Sequence, residues 1–280
     1  MTEILYNLID FLFPFDFLSM EFMKNAFLGI LIAAPMLGLL STMVVNQKMA
    51  FFSDAIGHSA LTGIGIGVLL GFSSHTLSML ILAVILGMLI AYFSYKHQET
   101  TDTIIGIFSA GTVALGTMLL SRNGNFNQYT HYLIGDLLSI QLEDLRILIL
   151  VSIVVLVFWY FIFNDLVLTS LNVSLANSRA IHTLRLQMFF TCIVAVVVVL
   201  CIPWIGVMLI NAFLILPGAI SRNVARNMRQ YHLYSIFFAL FSGLVGLWLA
   251  YVLGTSAGAT IVVVMTICYI ATSLVKRLTY

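Results

Sequence analysis

The chain has 280 residues, of which 61% are hydrophobic and only 8% are charged. Soluble domains carry about 25% charged residues, so this composition excludes a soluble protein and indicates an integral membrane protein. The formal net charge of +1 gives no support to a nucleic-acid partner.

Residues 1–25 are aromatic and apolar but interrupted by acidic side chains, at Glu3, Asp10, Asp16 and Glu21. They show neither a basic start nor an A-x-A cleavage site, so a secretory signal peptide is not predicted. We interpret them as an amphipathic segment at the membrane interface, on the external side because it is acidic. Residues 26–280 are predicted to form a single transmembrane domain.

Apolar stretches long enough to cross a bilayer follow in close succession. The nine predicted spans are 26–45, 52–71, 76–94, 103–120, 145–163, 188–202, 204–217, 232–253 and 259–275. Pro35 is expected to kink the first span, and Pro203 with Trp204 to divide a run that is too long for one crossing. The predicted fold is therefore an all-α integral membrane protein with nine transmembrane helices, or eight if one short piece is re-entrant.

The basic residues predict the orientation of these spans. One side of the membrane receives Lys48, Lys96, Arg179, Arg185, Arg222, Arg226, Arg229, Lys276 and Arg277, and the other receives Lys24, Arg122 and Arg146. Cytoplasmic loops carry the excess of Lys and Arg, so the larger group is predicted to be cytoplasmic. The N-terminus is then external and the C-terminus cytoplasmic.

The most informative span, residues 52–71, reads FSDAIGHSALTGIGIGVLLG. In a helix Asp54 and His58 project from one face, one turn apart. A helix rising from Lys48, the nearest interfacial anchor, places His58 roughly 15 Å deep in hydrocarbon about 30 Å thick. An unpaired aspartate there costs about 2.5–3.5 kcal/mol, and such residues usually mark a substrate path. We interpret the pair as ligands of a transported ion; the alternative is an aspartate near the headgroups and a histidine bonded to a carbonyl.

A row of small residues runs beside this pair at every fourth position, from Ala55 onwards. Small residues at this spacing let a second helix approach closely. Ser59, Gly63, Gly67 and Gly71 are therefore predicted to pack against a neighbouring helix.

The predicted external loop, residues 121–144, carries two residues that could guide a cation into the protein, His131 and Asp136. The alternative for each is an ordinary solvated loop residue. No neighbouring pattern distinguishes the two interpretations.

The segment 217–229 follows a span directly and carries Arg222, Arg226 and Arg229 at i, i+4 and i+7, on one helical face. Pro217 is expected to end the preceding span. The segment is either a positive-inside flank or a short cytoplasmic helix that docks a soluble partner.

The chain shows no motif for an energy source or for catalysis. No lysine follows a glycine, so a nucleotide-binding P-loop is excluded, and HExxH and GxSxG are also absent. Cys192, Cys201 and Cys268 lack CxxC spacing and are interpreted as small buried hydrophobes. The chain is therefore not predicted to be an enzyme.

Five stretches resemble, in the same order, the permease subunits of zinc/manganese-type (ABC-3 family) metal ABC importers. They are SDAIGHSALTG (53–63), DTIIGI (102–107), LIGDLL (133–138), IGVMLI running into LPGA (205–210 and 216–219) and SAG (256–258). The resemblance covers nearly the whole chain beyond residue 25. It implies the helical fold shared with vitamin B12 and siderophore importers, in the cytoplasmic membrane of a prokaryote.

The resemblance also implies partners and roles. The permease would pair with a second permease, two cytoplasmic ABC ATPases and an extracellular metal-binding protein, and it would hold no permanent cofactor. Asp54 and His58 would bind the transported Zn²⁺ or Mn²⁺. The residues implied in the cytoplasmic coupling helix that meets the ATPase are Pro217, Arg222, Val224, Ala225 and Arg226.

The choice of metal stays open at this point. Some zinc-type members carry a histidine shortly after the DTxxGI stretch, where this chain has Ala110 and Gly111. Two other classes of function also compete: an ion-coupled secondary metal transporter that uses Asp54 and His58 as a relay, and a membrane scaffold without transport.

Overall fold

The structure is a computed structural model that describes residue 18 and residues 20–72, 74–96, 100–122, 135–171 and 173–279. Within these residues nine helices are long and apolar enough to cross a membrane. The helices are α1 (Glu21–Asn46), α2 (Phe52–Leu70), α3 (His75–Lys96), α4 (Thr101–Arg122), α5 (Leu142–Leu171), the short α6 (Val173–Ser178), α7 (Thr183–Ile205), α8 (Val207–Val224), α9 (Met228–Leu253) and α10 (Ala257–Thr279). The predicted all-α membrane architecture is confirmed.

The first helix, α1, begins earlier than predicted. It starts at Glu21 rather than at residue 26. A carboxylate in the first turn is stabilised by the positive end of the helix dipole, so the acidic residue favours this start. The rest of the predicted interfacial segment, residues 1–17 and 19, lies outside the described residues.

The same helix lies at the centre of the molecule. Its apolar window is 72% buried, against 11% for that of α10. On α9, the Ser235 hydroxyl donates to the carbonyl of Gly38. On α8, the backbone N–H of Gly218 donates to the Ser41 hydroxyl at 2.8 Å. Hydrogen bonds as well as apolar packing therefore attach α8 and α9 to α1.

The break between α7 and α8 falls at Gly206, so the predicted division at Pro203 and Trp204 is wrong. Pro203 lies inside α7. Gly206 has φ 80° and ψ 153°, a conformation that glycine adopts far more readily than residues with a Cβ. Gly135 (φ 60°) lies so close that a Cβ on it would be 2.2 Å from the nitrogen of Gly206. The turn therefore depends on two glycines rather than on the proline.

Residues 217–229 do not form one helix, so this prediction is also wrong. Pro217 lies inside α8, which continues to Val224. Proline removes a single backbone donor, and the tight packing of α8 on α1 holds the helix together past it.

The helix ends instead at Ala225, which has an extended backbone (φ −73°, ψ 139°). Asn227 then caps α9 by accepting the N–H of Gln230 at 2.9 Å. Asparagine is among the preferred residues at this position. The three arginines consequently lie on the last turn of α8, in the break and on the first turn of α9, not on one helical face.

Helix α2 packs closely against α3 through its row of small residues. A Cβ on Gly63 would lie 2.8 Å from the Cα of Met79, and one on Gly67 would lie 2.4 Å from the hydroxyl of Ser78. Ser59 is buried beside them. Gly71 differs from the prediction: it ends α2 with φ 72°, and no described atom lies within 4 Å of its Cβ position.

Candidate functional site

The Asp54 and His58 side chains lie together near the start of α2. Nε2 of His58 is 3.5 Å from Oδ1 of Asp54. The sequence spacing predicts this contact because residues four apart face the same side of a helix. A carboxylate oxygen and an imidazole nitrogen thus form one small polar site on an otherwise apolar helix.

The depth of the pair follows from the neighbouring helices rather than from Lys48. The sequence-based depth assumed a continuous helix from Lys48, but α2 begins only at Phe52. The depth of Asp54 and His58 therefore has to be judged from the helices around them. The Phe52 ring lies beside Gly87 of α3, with its Cζ 3.5 Å from where a Cβ would be, and α3 continues from Gly87 to Lys96 for roughly another 13 Å. In the other direction α2 runs from His58 to Leu70, roughly 18 Å. Asp54 and His58 therefore lie deep within the apolar layer.

Two further polar residues belong to the site. The Asn211 amide, on α8, donates to Oδ1 of Asp54 at 3.2 Å. The Ser53 hydroxyl donates in turn to the Asn211 carbonyl oxygen at 2.5 Å. Ser53, Asn211 and Asp54 form a hydrogen-bonded row that joins α2 to α8.

Asn211 was not predicted as a site residue, although its position in an apolar stretch of the sequence marks it as unusual. The residue is the only strongly polar one in the apolar run VMLINAFLIL, residues 207–216. A polar side chain in such a run has to find a hydrogen-bonding partner inside the protein. Ser53 carries no comparable signal, since serine hydroxyls commonly bond to their own helix.

The site is open on one side. The side chains of His58 and Asp54 are 47% and 38% exposed, although they lie at membrane depth. Within the described part of the chain, no three or more His, Cys, Asp or Glu side chains are grouped to hold a metal ion. One chain therefore offers two ligands and an uncovered face.

Three of the five sequence motifs meet around a cavity of about 410 Å³ on the predicted external side. Its lining includes Asp136, Ile205, Met208 and Gly258. The Asp136 carboxylate accepts the N–H of Leu138 at 3.0 Å and so caps a short 3₁₀ helix. His131, the other candidate in this loop, lies outside the described residues.

The break between α8 and α9 forms a second cavity, on the predicted cytoplasmic side. It has a volume of about 290 Å³ and is lined by Arg222, Ala225, Arg226 and the end of α1 at Asn46, among others. Both arginines are exposed, and Val224 is 44% exposed. Two exposed cations thus border this cavity, and Val224, next to them in the chain, is also exposed.

The chain matches the ABC 3 transport family over residues 19–276. It is 30% identical over 249 residues to the High-affinity zinc uptake system membrane protein ZnuB of Haemophilus influenzae, covering 88% of this chain and 93% of that one. It is 24% identical over 259 residues to the Manganese transport system membrane protein MntC of Listeria monocytogenes, covering 92% of each. The solved structure of PsaBC from Streptococcus pneumoniae in complex with Fab has the same fold, with a TM-score of 0.77 at 22% identity, covering 97% of this chain and 95% of that one.

A multi-pass helical protein with an ionisable pair inside the membrane has the architecture of a membrane transport protein. The match over residues 19–276 makes this specific: the chain belongs to the ABC 3 transport family. The resemblance drawn from the five sequence motifs is thereby confirmed.

Proposed function

We propose that this chain is the transmembrane permease of an ABC importer that carries Zn²⁺ or Mn²⁺ across the cytoplasmic membrane of a prokaryotic cell. The observation that carries the proposal is the Asp54–His58 pair inside the membrane, in a chain of this family. Zn²⁺ binds carboxylate and imidazole in tetrahedral sites, whereas Mn²⁺ favours more oxygen or water ligands. The names of the zinc-uptake and manganese-transport relatives support both metals.

A second permease would complete the metal site. The pair in one chain supplies one oxygen and one nitrogen donor and leaves an exposed face. Two such pairs at a dimer axis would supply two oxygens and two nitrogens, which is a set that Zn²⁺ accepts. The protein that covers the exposed face of the Asp54–His58 site would be either another copy of this chain or a related permease.

The break between α8 and α9 is the proposed contact with a cytoplasmic ATPase. The supporting observations are the exposed Arg222 and Arg226 at the cavity on that side, and the exposed Val224 between them in the chain. An acidic groove on a soluble partner would complement the two cations. Pro217 lies too deep in α8 to touch this partner and would act only through the helix.

External access for the ion is proposed near Asp136, below an extracellular metal-binding protein. The carboxylate is exposed and lies at the cavity where three motifs meet. Its bond to Leu138 uses one oxygen, Oδ1, and leaves the other free to contact a passing cation. His131 has the same proposed role.

The energy source is what distinguishes an ABC importer from a secondary transporter. The chain is reconstituted in liposomes with and without its ATPase, with the metal-binding protein on the external side, and ⁶⁵Zn²⁺ and ⁵⁴Mn²⁺ uptake is measured with ATP on the cytoplasmic side. We expect uptake only when ATPase and ATP are both present. Uptake driven by a proton or sodium gradient without the ATPase would contradict the proposal and favour the alternative. Competition between the two metals in the same vesicles would assign selectivity.

A further inference from the structure

Asn211 lies between the metal site and the packed interior of the protein. Its side chain bonds to Asp54 on one side and to Ser53 on the other. Ser53 is 1% exposed, so the distal end of this row is enclosed by protein. Asp54 itself remains partly exposed towards the open face.

The orientation of the amide follows from its partners. A carboxylate can only accept hydrogen bonds, so the amide nitrogen has to face Asp54. The amide oxygen then faces Ser53, whose hydroxyl has a proton to donate. The Asn211 oxygen is thus engaged away from the open face, and the nitrogen beside Asp54 cannot bind a cation.

We propose that Asn211 is a positioning residue of the metal site, which holds the Asp54 carboxylate in place and is itself oriented by Ser53. This inference rests on the proposed function of the Asp54–His58 pair. The Asn211 bond occupies Oδ1, the oxygen that also faces His58, and leaves Oδ2 for the ion. A carboxylate held at one oxygen presents the other in one orientation.

Metal binding by the full-length chain, purified with its ATPase in lipid nanodiscs, tests the proposal. The chain is titrated with Zn²⁺ and Mn²⁺ after Asn211→Leu, which keeps a similar volume without hydrogen bonds. We expect the affinity to fall about 10- to 100-fold, the usual effect of removing an outer partner of a metal ligand. Asn211→Ala should also weaken binding, because it removes the same amide donor from Asp54.

A matched control separates positioning from helix packing. Ile215→Val changes an apolar side chain one turn further along the same face of α8, and should leave the affinity unchanged. Bound Co²⁺ serves as a probe of ligand geometry, since its visible absorption depends on coordination. The spectrum should change in Asn211→Leu and not in Ile215→Val.

Ser53→Ala provides a milder variant of the same row. It should weaken metal binding by a smaller factor than Asn211→Leu does. Because Ser53 acts through Asn211, adding Ser53→Ala to Asn211→Leu should cause no further loss of affinity. Wild-type affinity in both Asn211 variants, or additive losses in the double variant, would overturn the inference. Failure of the proposed function would differ, because the wild-type chain itself would then bind neither Zn²⁺ nor Mn²⁺.

Discussion

At the scale of single residues, Asp54 and His58 combine two properties that rarely occur together. They lie inside an apolar layer, and they are nevertheless accessible from one side. A charge that faced lipid there would be costly, so the exposed side requires either a protein partner or water. A metal ion bound between two chains satisfies that requirement and uses both donors.

Replacing either residue with alanine tests their role. We expect metal uptake to fall by more than about 100-fold in Asp54→Ala and in His58→Ala, since losing a direct ligand costs more than losing an outer partner. Membrane insertion should be unchanged. Ser59→Ala is the control on the same helix, because among the described residues its hydroxyl bonds to the carbonyl of Ile56, one turn back, and not to the site. Near-normal metal accumulation in both variants would mean that neither Asp54 nor His58 binds the transported ion.

The imidazole also predicts a pH dependence. A histidine binds a metal ion only when neutral, so protonation competes with the metal and affinity falls as the pH decreases. Titrating the purified permease with Zn²⁺ between about pH 8 and pH 5, where histidine ordinarily changes charge, measures the effect. Affinity that stays constant over this range would argue against His58 as a ligand.

At the scale of elements, α8 connects the two functional regions of the chain. Asn211 lies near its external end, and Arg222 and Val224 lie in its last turn. The helix remains continuous across Pro217 between them. A contact made at the cytoplasmic end is therefore made on the same rigid element that touches Asp54.

The cytoplasmic end of α8 can be tested without removing any of its arginines. Val224→Glu or Ala225→Glu places a bulky charged side chain in the proposed contact, and we expect less co-purified ATPase and less metal-stimulated hydrolysis. Thr100→Glu is the control, because Thr100 is also exposed on the predicted cytoplasmic side but outside this break. Unchanged assembly and hydrolysis would leave the arginines as an orienting positive-inside flank only.

The contact between α2 and α3 makes a prediction about stability. Gly63→Leu should lower the free energy of unfolding by about 1–3 kcal/mol or more, because an added side chain meets the backbone of Met79. Gly111→Leu is the matched control, since Gly111 is exposed and no described atom lies within 4 Å of an added Cβ. Thermal unfolding in detergent compares them. Equal stability of the two variants would mean that α3 can move away without cost.

At the scale of the whole molecule, the open site predicts how many chains bind one ion. If two chains complete the ligand set, the purified protein should be a dimer and should bind about one metal ion per two chains. Light scattering gives the mass, and metal analysis after equilibrium dialysis gives the ratio. One ion per chain in a monomer would show that a single chain completes the site unaided.

The sequence by itself determined the membrane class, the approximate positions of the nine spans and the pairing of Asp54 with His58. Hydropathy and helical periodicity are properties of short stretches, so they can be predicted without knowing which helices meet. The tertiary structure decided the rest. Asn211 contacts Asp54 across 157 positions of chain, which no local pattern encodes. The helices break at Gly206 and Ala225 rather than at the prolines, and packing is the reason. Gly135 lies against Gly206, and contacts with α1 keep α8 helical past Pro217.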